Sequence, residues 1–193
     1  MCGIAGWFAF GKSEVPRENL NLMLDSIEHR GPDERGKKQI REMSLGMTRL
    51  SINDIEGGSQ PYFSEDRSVS AVFNGEIYNF MEIRTILESY GFRFQSATDT
   101  EVVLNAYLQW GVECLHQFVG MFAFAIWDGR DRSLFLARDR LGIKPLYFYK
   151  SEDGQTLIFA SELKAIMAFE SFKREVHSNA IPLFLHYQYI PAP

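Results

Sequence analysis

The stretch Met121-Phe122-Ala123-Phe124-Ala125-Ile126-Trp127 decides the fold class. It is apolar at every position and stops at Asp128-Gly129, a hairpin signal, after which Ser133–Ala137 resumes as a strand. A strand with no polar face belongs in a sheet covered on both sides. Working outward, Gly3–Phe10 (GIAGWFAF) reads as another apolar strand, ending at Gly11-Lys12. Ser68–Phe73 alternates with period two, which sets Val69, Ala71 and Phe73 on one face. Further strands are expected at Leu146–Tyr149 and Leu157–Ala160, separated by the turn Glu152-Asp153-Gly154.

Helical spacing lies between these strands. Leu20, Met23, Leu24 and Ile27 follow i, i+3, i+4, i+7 and end near Arg30-Gly31-Pro32; Phe80–Tyr90 is stopped by Gly91. A third helix runs from Asp99 to Trp110, with Val103, Tyr107 and Trp110 on one stripe, Thr98 or Asp99 as N-cap and Gly111 as stop. Helices mixed with antiparallel-looking strands predict an α+β fold with helices outside and sheets inside.

Composition narrows the function classes. The 193 residues carry 20 Lys+Arg against 25 Asp+Glu, a net charge of -5, with 46% hydrophobic and 23% charged residues. These are the proportions of a soluble globular chain, and the acidic balance argues against a nucleic-acid surface. No apolar run approaches the ~20 residues of a membrane span, and no signal peptide is visible. The cysteines Cys2 and Cys114 form no disulfide framework, and the histidines are too scattered to hold a metal, so a cytoplasmic setting is expected. At the far end, Ser178-Asn179 could cap a helix Ala180–Tyr189 before Ile190-Pro191-Ala192-Pro193, which reads as the first element of a further unit.

The chemistry starts at Cys2. Removal of Met1 would make Cys2 the amino-terminal residue. An α-amine titrating near ~7.7–8.0 could then act as base toward a thiol near ~8.5. Asn74 and Gly75, directly after a strand, could form a two-donor oxyanion hole from an amide side chain and a backbone N–H. Arg49 and Asp99 suit the α-carboxylate and α-amino groups of an amino acid. Taken singly, each has a plainer reading: an incidental terminal cysteine, an Asn-Gly hairpin turn, surface charges. Arg30 and Asp33 are expected to fix a loop near the pocket, Phe122, Phe124 and Trp127 to be core, and Cys114 and His116 to be buried structural residues. Glu56-Gly57-Gly58-Ser59-Gln60 is Gly-rich but lacks the Lys of a phosphate loop.

Together the motifs are specific. MCGIAG at 1–6, HRGPD at 29–33, RLSI at 49–52, NGEIYN at 74–79, ATDTE at 97–101, GMFAFAIWD at 120–128, ARDRLGIKPLYF at 137–148 and FASELKA at 159–165 resemble the glutaminase domain of class II glutamine amidotransferases, and among these the asparagine synthetases. The resemblance covers about residues 2–172. It implies the four-layer α/β/β/α sandwich of N-terminal nucleophile hydrolases, with mostly antiparallel sheets. It also implies Cys2 as nucleophile, Asn74 and Gly75 as oxyanion donors, and Arg49 on the substrate carboxylate. Glu76 and Asp99 would hold the amino group, and Leu50, Ser51, Ile52 and Asn53 would line the pocket. Glutamine would be hydrolysed to glutamate and ammonia through a thioester.

The same resemblance implies a glutaminase domain over 1–172 and the start of a C-terminal synthetase domain over 173–193. That domain would use the ammonia to make asparagine from aspartate. ATP and Mg²⁺ would belong to it alone, leaving no cofactor or metal in the present chain; a homodimer is possible. Alternatives are an amidotransferase with a different acceptor, a non-catalytic fold kept for interaction, or a general N-terminal-cysteine hydrolase.

Overall fold

The computed structural model describes residues 1–10, 16, 18–51, 58–170, 172–176 and 178–191. The order is β1 (Gly3–Ala9), α1 (Glu18–Ser26), β2 (Glu34–Gln39), β3 (Met43–Arg49), β4 (Tyr62–Phe63), β5 (Val69–Ile77), α2 (Phe80–Ser89), α3 (Asp99–Trp110), β6 (Gly120–Asp128), β7 (Ser133–Arg138), β8 (Tyr147–Lys150), β9 (Thr156–Ala160), α4 (Leu163–Met167) and α5 (Ala180–Tyr187). A five-stranded sheet runs β2-β3-β1-β9-β8 and a four-stranded sheet runs β4-β5-β6-β7. Every paired strand in both is antiparallel.

Strands β1 and β6 are apolar on both faces because each sheet has two apolar neighbours. Ala5, Trp7 and Ala9 of β1 pack beneath α1 and α4 with Leu20, Met23, Leu24 and Ile166. The intervening Ile4 and Phe8 turn the other way, into a core between the sheets with Met43, Leu45, Met47, Val72, Ala125 and Trp127. On the far side of the second sheet, Val69, Ala71, Phe73, Phe122, Phe124 and Ile126 pack beneath α2 and α3. Three apolar interfaces make four layers. Each fully buried Leu, Ile or Phe contributes about 1.5–3 kcal/mol, so a polar face on a central strand would be costly.

The period-two reading of Val69, Ala71 and Phe73 holds, and β5 continues to Ile77, so Asn74-Gly75 lies inside a strand and is not a turn. Helix α3 has the expected limits, and Thr98 is its cap: the Thr98 hydroxyl accepts from Glu101 N–H at 3.3 Å. That leaves the Asp99 carboxylate free for other partners. Phe122, Phe124 and Trp127 are buried, as expected. His116 is a correction: Cys114 is buried, but His116 stands in solvent, 72% exposed, and pairs with Glu113 at 3.3 Å. It ends a 3-10 turn, Gly111–His116, that presents neighbouring side chains to different sides. Strands β2, β3 and β4 and helix α4 are additions to the sequence reading. Gly11-Lys12, Ile52, Asn53, Glu56-Gly57 and Ala192-Pro193 lie outside the described residues.

Candidate active site

Cys2 enters the sandwich at one end of β1 and packs, half-buried, against the core between the sheets. Its Sγ lies 3.7 Å from the carbonyl oxygen of Leu50. Two loops fix it there. Arg30, from the 3-10 turn Glu28–Arg30, donates from Nε to the Cys2 carbonyl at 3.0 Å and from Nη1 to Glu162 at 3.0 Å. His29 and Lys164 converge on the same carboxylate at 3.0 and 3.1 Å. Burial alone would raise Glu162, but hydrogen bonds from Arg30, Lys164 and His29 outweigh it and hold the carboxyl at about 2. Asp33 anchors the other loop: its N–H donates to Arg49 O at 3.1 Å, and its carboxylate accepts from Ser51 N–H at 2.8 Å. Arg30 and Asp33 thus fix the neighbourhood as expected, and Arg30 does so by direct contact with Cys2.

Arg49 ends β3 beside Cys2, since Gly3 pairs with Thr48. It is 5% exposed, and Nη1 pairs with Glu34 at 3.0 Å. A surface charge is therefore excluded. The pairing antiparallel strand β2 supplies that carboxylate.

The second sheet brings the other residues. Alternation along β5 turns Val72 and Asn74 toward the first sheet. Asn74 is 2% exposed, yet its Nδ2 has no hydrogen-bond acceptor among the described residues. A buried amide donor left unpaired costs about 1–3 kcal/mol, so it calls for an explanation. Gly75 adds a backbone donor. The outward row of β5 N–H groups is capped residue by residue: Val69 by Ser64 Oγ at 2.9 Å, Phe73 by Gln60 Oε1 at 2.7 Å, Ile77 by Asp99 Oδ2 at 3.0 Å. The alternation of an antiparallel ladder places the Gly75 N–H in this same row, pointing away from β6. A Cβ at Gly75 would lie 2.3 Å from Met121 O, so only glycine permits this strand spacing.

Asp99, at the first turn of α3, is thereby tied to the end of β5. Burial pushes its carboxyl up, the Ile77 N–H pulls it partly back, and neighbouring Glu76 pushes it up again, to about 6. Glu76 itself is exposed. The ends of the two sheets meet here. Met1 touches Lys144, and Lys144 N–H and Phe122 N–H both donate to Asp139 Oδ2. Phe122 stands opposite Gly75. Cys2, Arg49, Leu50, Ser51, Asn74, Gly75, Glu76 and Asp99 thus belong to one end of the sandwich; Ile52 and Asn53 are outside the described residues. A broad groove of about 1200 Å³ lined by Tyr62, Phe63, Phe92, Phe94 and Asn105 contains none of them.

A thiol near the chain start, between two antiparallel sheets clad by helices, defines the N-terminal nucleophile hydrolase architecture. The phosphoribosylpyrophosphate amidotransferase of Bacillus subtilis has the same fold: TM-score 0.73 at 22% identity, over 91% of this chain and 45% of that one. Residues 1–193 match the glutamine amidotransferase domain family, and the chain belongs to it. Among curated relatives, it is 39% identical to glutamine-hydrolysing asparagine synthetase 3 of Bacillus subtilis, over 94% of this chain and 30% of that protein. It is also 39% identical to a putative asparagine synthetase 2 of Methanocaldococcus jannaschii, over 100% and 40%. A Penicillium rubens protein named amidase chyE is 38% identical over 88% and 26%. The chain therefore spans well under half the length of these relatives. Among the described residues no helix is long and apolar enough to cross a membrane.

Proposed function

We propose that the chain hydrolyses glutamine through Cys2. Removal of Met1 frees the Cys2 α-amine, which takes the thiol proton as Sγ attacks the side-chain amide carbon. The tetrahedral oxyanion is held by Asn74 Nδ2 and the Gly75 N–H. The C–N bond then breaks, the proton passes to the departing nitrogen, and ammonia leaves a glutamyl thioester. Water cleaves the thioester to glutamate and restores the thiol. Arg49 binds the substrate carboxylate, while Asp99 and Glu76 receive the ammonium. The observation that carries this reading is the buried, unpartnered Asn74 Nδ2, a donor held ready for a charge that develops only during the reaction.

The ammonia would serve asparagine formation from aspartate in a C-terminal synthetase domain, where ATP and Mg²⁺ would act. The names of the Bacillus and Methanocaldococcus relatives support this acceptor; the Penicillium relative supports the alternative of a different one. A glutaminase domain over 1–172 is supported by packing: Phe172 still meets Tyr149 edge-to-face with ring centroids 4.9 Å apart, whereas α5 buries no residue and leaves Leu185 70% exposed. Glutamate release from glutamine, measured for the chain and for Cys2→Ala, tests the proposal. Full loss in the variant is expected; undiminished release refutes it.

A further inference from the structure

The motif ARDRLGIK at 137–144 has no role in the reading above, yet it forms a tightly specified loop. Asp139 follows β7, and its carboxylate accepts from the N–H groups of Phe122, Leu141, Ile143 and Lys144 at 3.2, 3.1, 2.9 and 2.9 Å. Burial would raise this carboxyl, but those hydrogen bonds keep it below the usual range. Arg138 donates from Nε to Lys144 O at 2.7 Å and from Nη2 to Gly142 O. Gly142 has φ +66, and a Cβ there would meet the Arg138 guanidinium at 2.9 Å. Arg, Asp and Gly thus build the loop, and what it presents is Lys144. That residue is 7% exposed, and its Nζ contacts Met1 Sδ at 3.6 Å.

The charged groups around the start of β1 are otherwise matched. Arg30, His29 and Lys164 share Glu162; Arg49 faces Glu34; Glu76 on β5 and Asp99 in the first turn of α3 lie across from them. Lys144 is the cation of this set without an anionic partner among the described residues. A buried, unpaired ammonium is expensive, and the loop holds it beside the start of the chain.

We infer that Lys144 is a positioning residue whose charge keeps the Cys2 amine unprotonated at neutral pH. The inference rests on the processing of Met1 proposed above. One residue's reach separates Met1 Sδ from the Cys2 nitrogen, so Lys144 Nζ lies within about 10 Å of that nitrogen. At an effective dielectric of about 20, a like charge at that range lowers an amine by about one pH unit.

The test uses the chain beginning at Cys2, with Lys144→Met, Lys144→Gln and Lys144→Arg. The acidic limb of kcat/KM for glutamine reports the amine in its base form. Loss of the cation should move that limb up by about one pH unit in the Met and Gln variants, and Arg should restore it. A purely structural role would lower rate or melting temperature and leave the limb where it is, which would overturn the inference. Cys2→Ala separates the two readings: hydrolysis that survives it removes the proposed function, whereas hydrolysis lost there with an unmoved limb removes only the role of Lys144.

Discussion

Replacing Asp99 with Asn should stabilise the unliganded chain and weaken glutamine binding. The Asp99 carboxyl is raised from 3.8 to about 6, chiefly by burial. Between pH 4 and 6 the folded state therefore keeps a proton that the unfolded state has released. Stability falls as pH rises through that window, and the penalty is complete above it. At about 1.4 kcal/mol per pH unit the ionised form costs on the order of 2–3 kcal/mol. Asparagine removes the charge, and its side-chain oxygen can still accept from the Ile77 N–H, now at 3.0 Å. For a chain of this size each kcal/mol is worth about 2–4 °C, so Asp99→Asn should melt about 4–12 °C higher at pH 8 and nearly level at pH 4. The substrate ammonium would lose a charged partner worth about 1.5–3 kcal/mol, raising KM for glutamine about 10- to 100-fold. Scanning fluorimetry at both pH values, with glutamate release alongside, checks both halves. An equal melting difference at pH 4 and pH 8, or an unchanged KM, would refute the reasoning.

Three more outcomes follow from the geometry. Asn74→Ala should cut kcat by about 10²–10³-fold with little change in KM or melting temperature, because Nδ2 has no ground-state partner among the described residues to lose; an unchanged kcat removes Asn74 from the oxyanion site. Iodoacetamide at pH 8 should label Cys2 and leave Cys114 unmodified, since burial pushes the Cys114 thiol up to about 12; peptide mass mapping reads this directly. Glu162, held at about 2 against an ordinary 4.5, contributes stability that is present above pH 4.5 and lost as pH falls toward 2. Glu162→Gln should therefore flatten acid unfolding over that window and, by loosening Arg30, lower kcat; retention of the full acid transition would contradict the assignment.

The layers were legible where both faces of a strand are apolar, and α3 where a cap, a stripe and a Gly stop agree. Strand β2, ERGKKQ, carries no strand pattern because it is a polar edge strand whose residues are held by pairing with β3. Strand β3 buries Ser44 and Thr48 toward the helices, the latter by donating to Ile27 O at 3.2 Å, so its polar positions masked a buried strand. Strand β4 has two residues and no pattern to read. The Asn-Gly pair, a turn signal locally, is strand because Gly75 must pass close to β6. At the site, residue types identified the chemistry. The contacts that hold Cys2 could not be read, since Arg30 and Glu162 meet across 132 residues of sequence. The Lys144 contact with Met1 spans 143 residues and is equally hidden from local pattern.

The central claim is that the free amine of Cys2 drives glutamine hydrolysis. Glutamate release should be compared between a chain whose intact mass shows Cys2 as the first residue and one in which Met1 is retained. The account predicts hydrolysis only in the first, abolished by Cys2→Ala; equal rates with and without Met1 would contradict it.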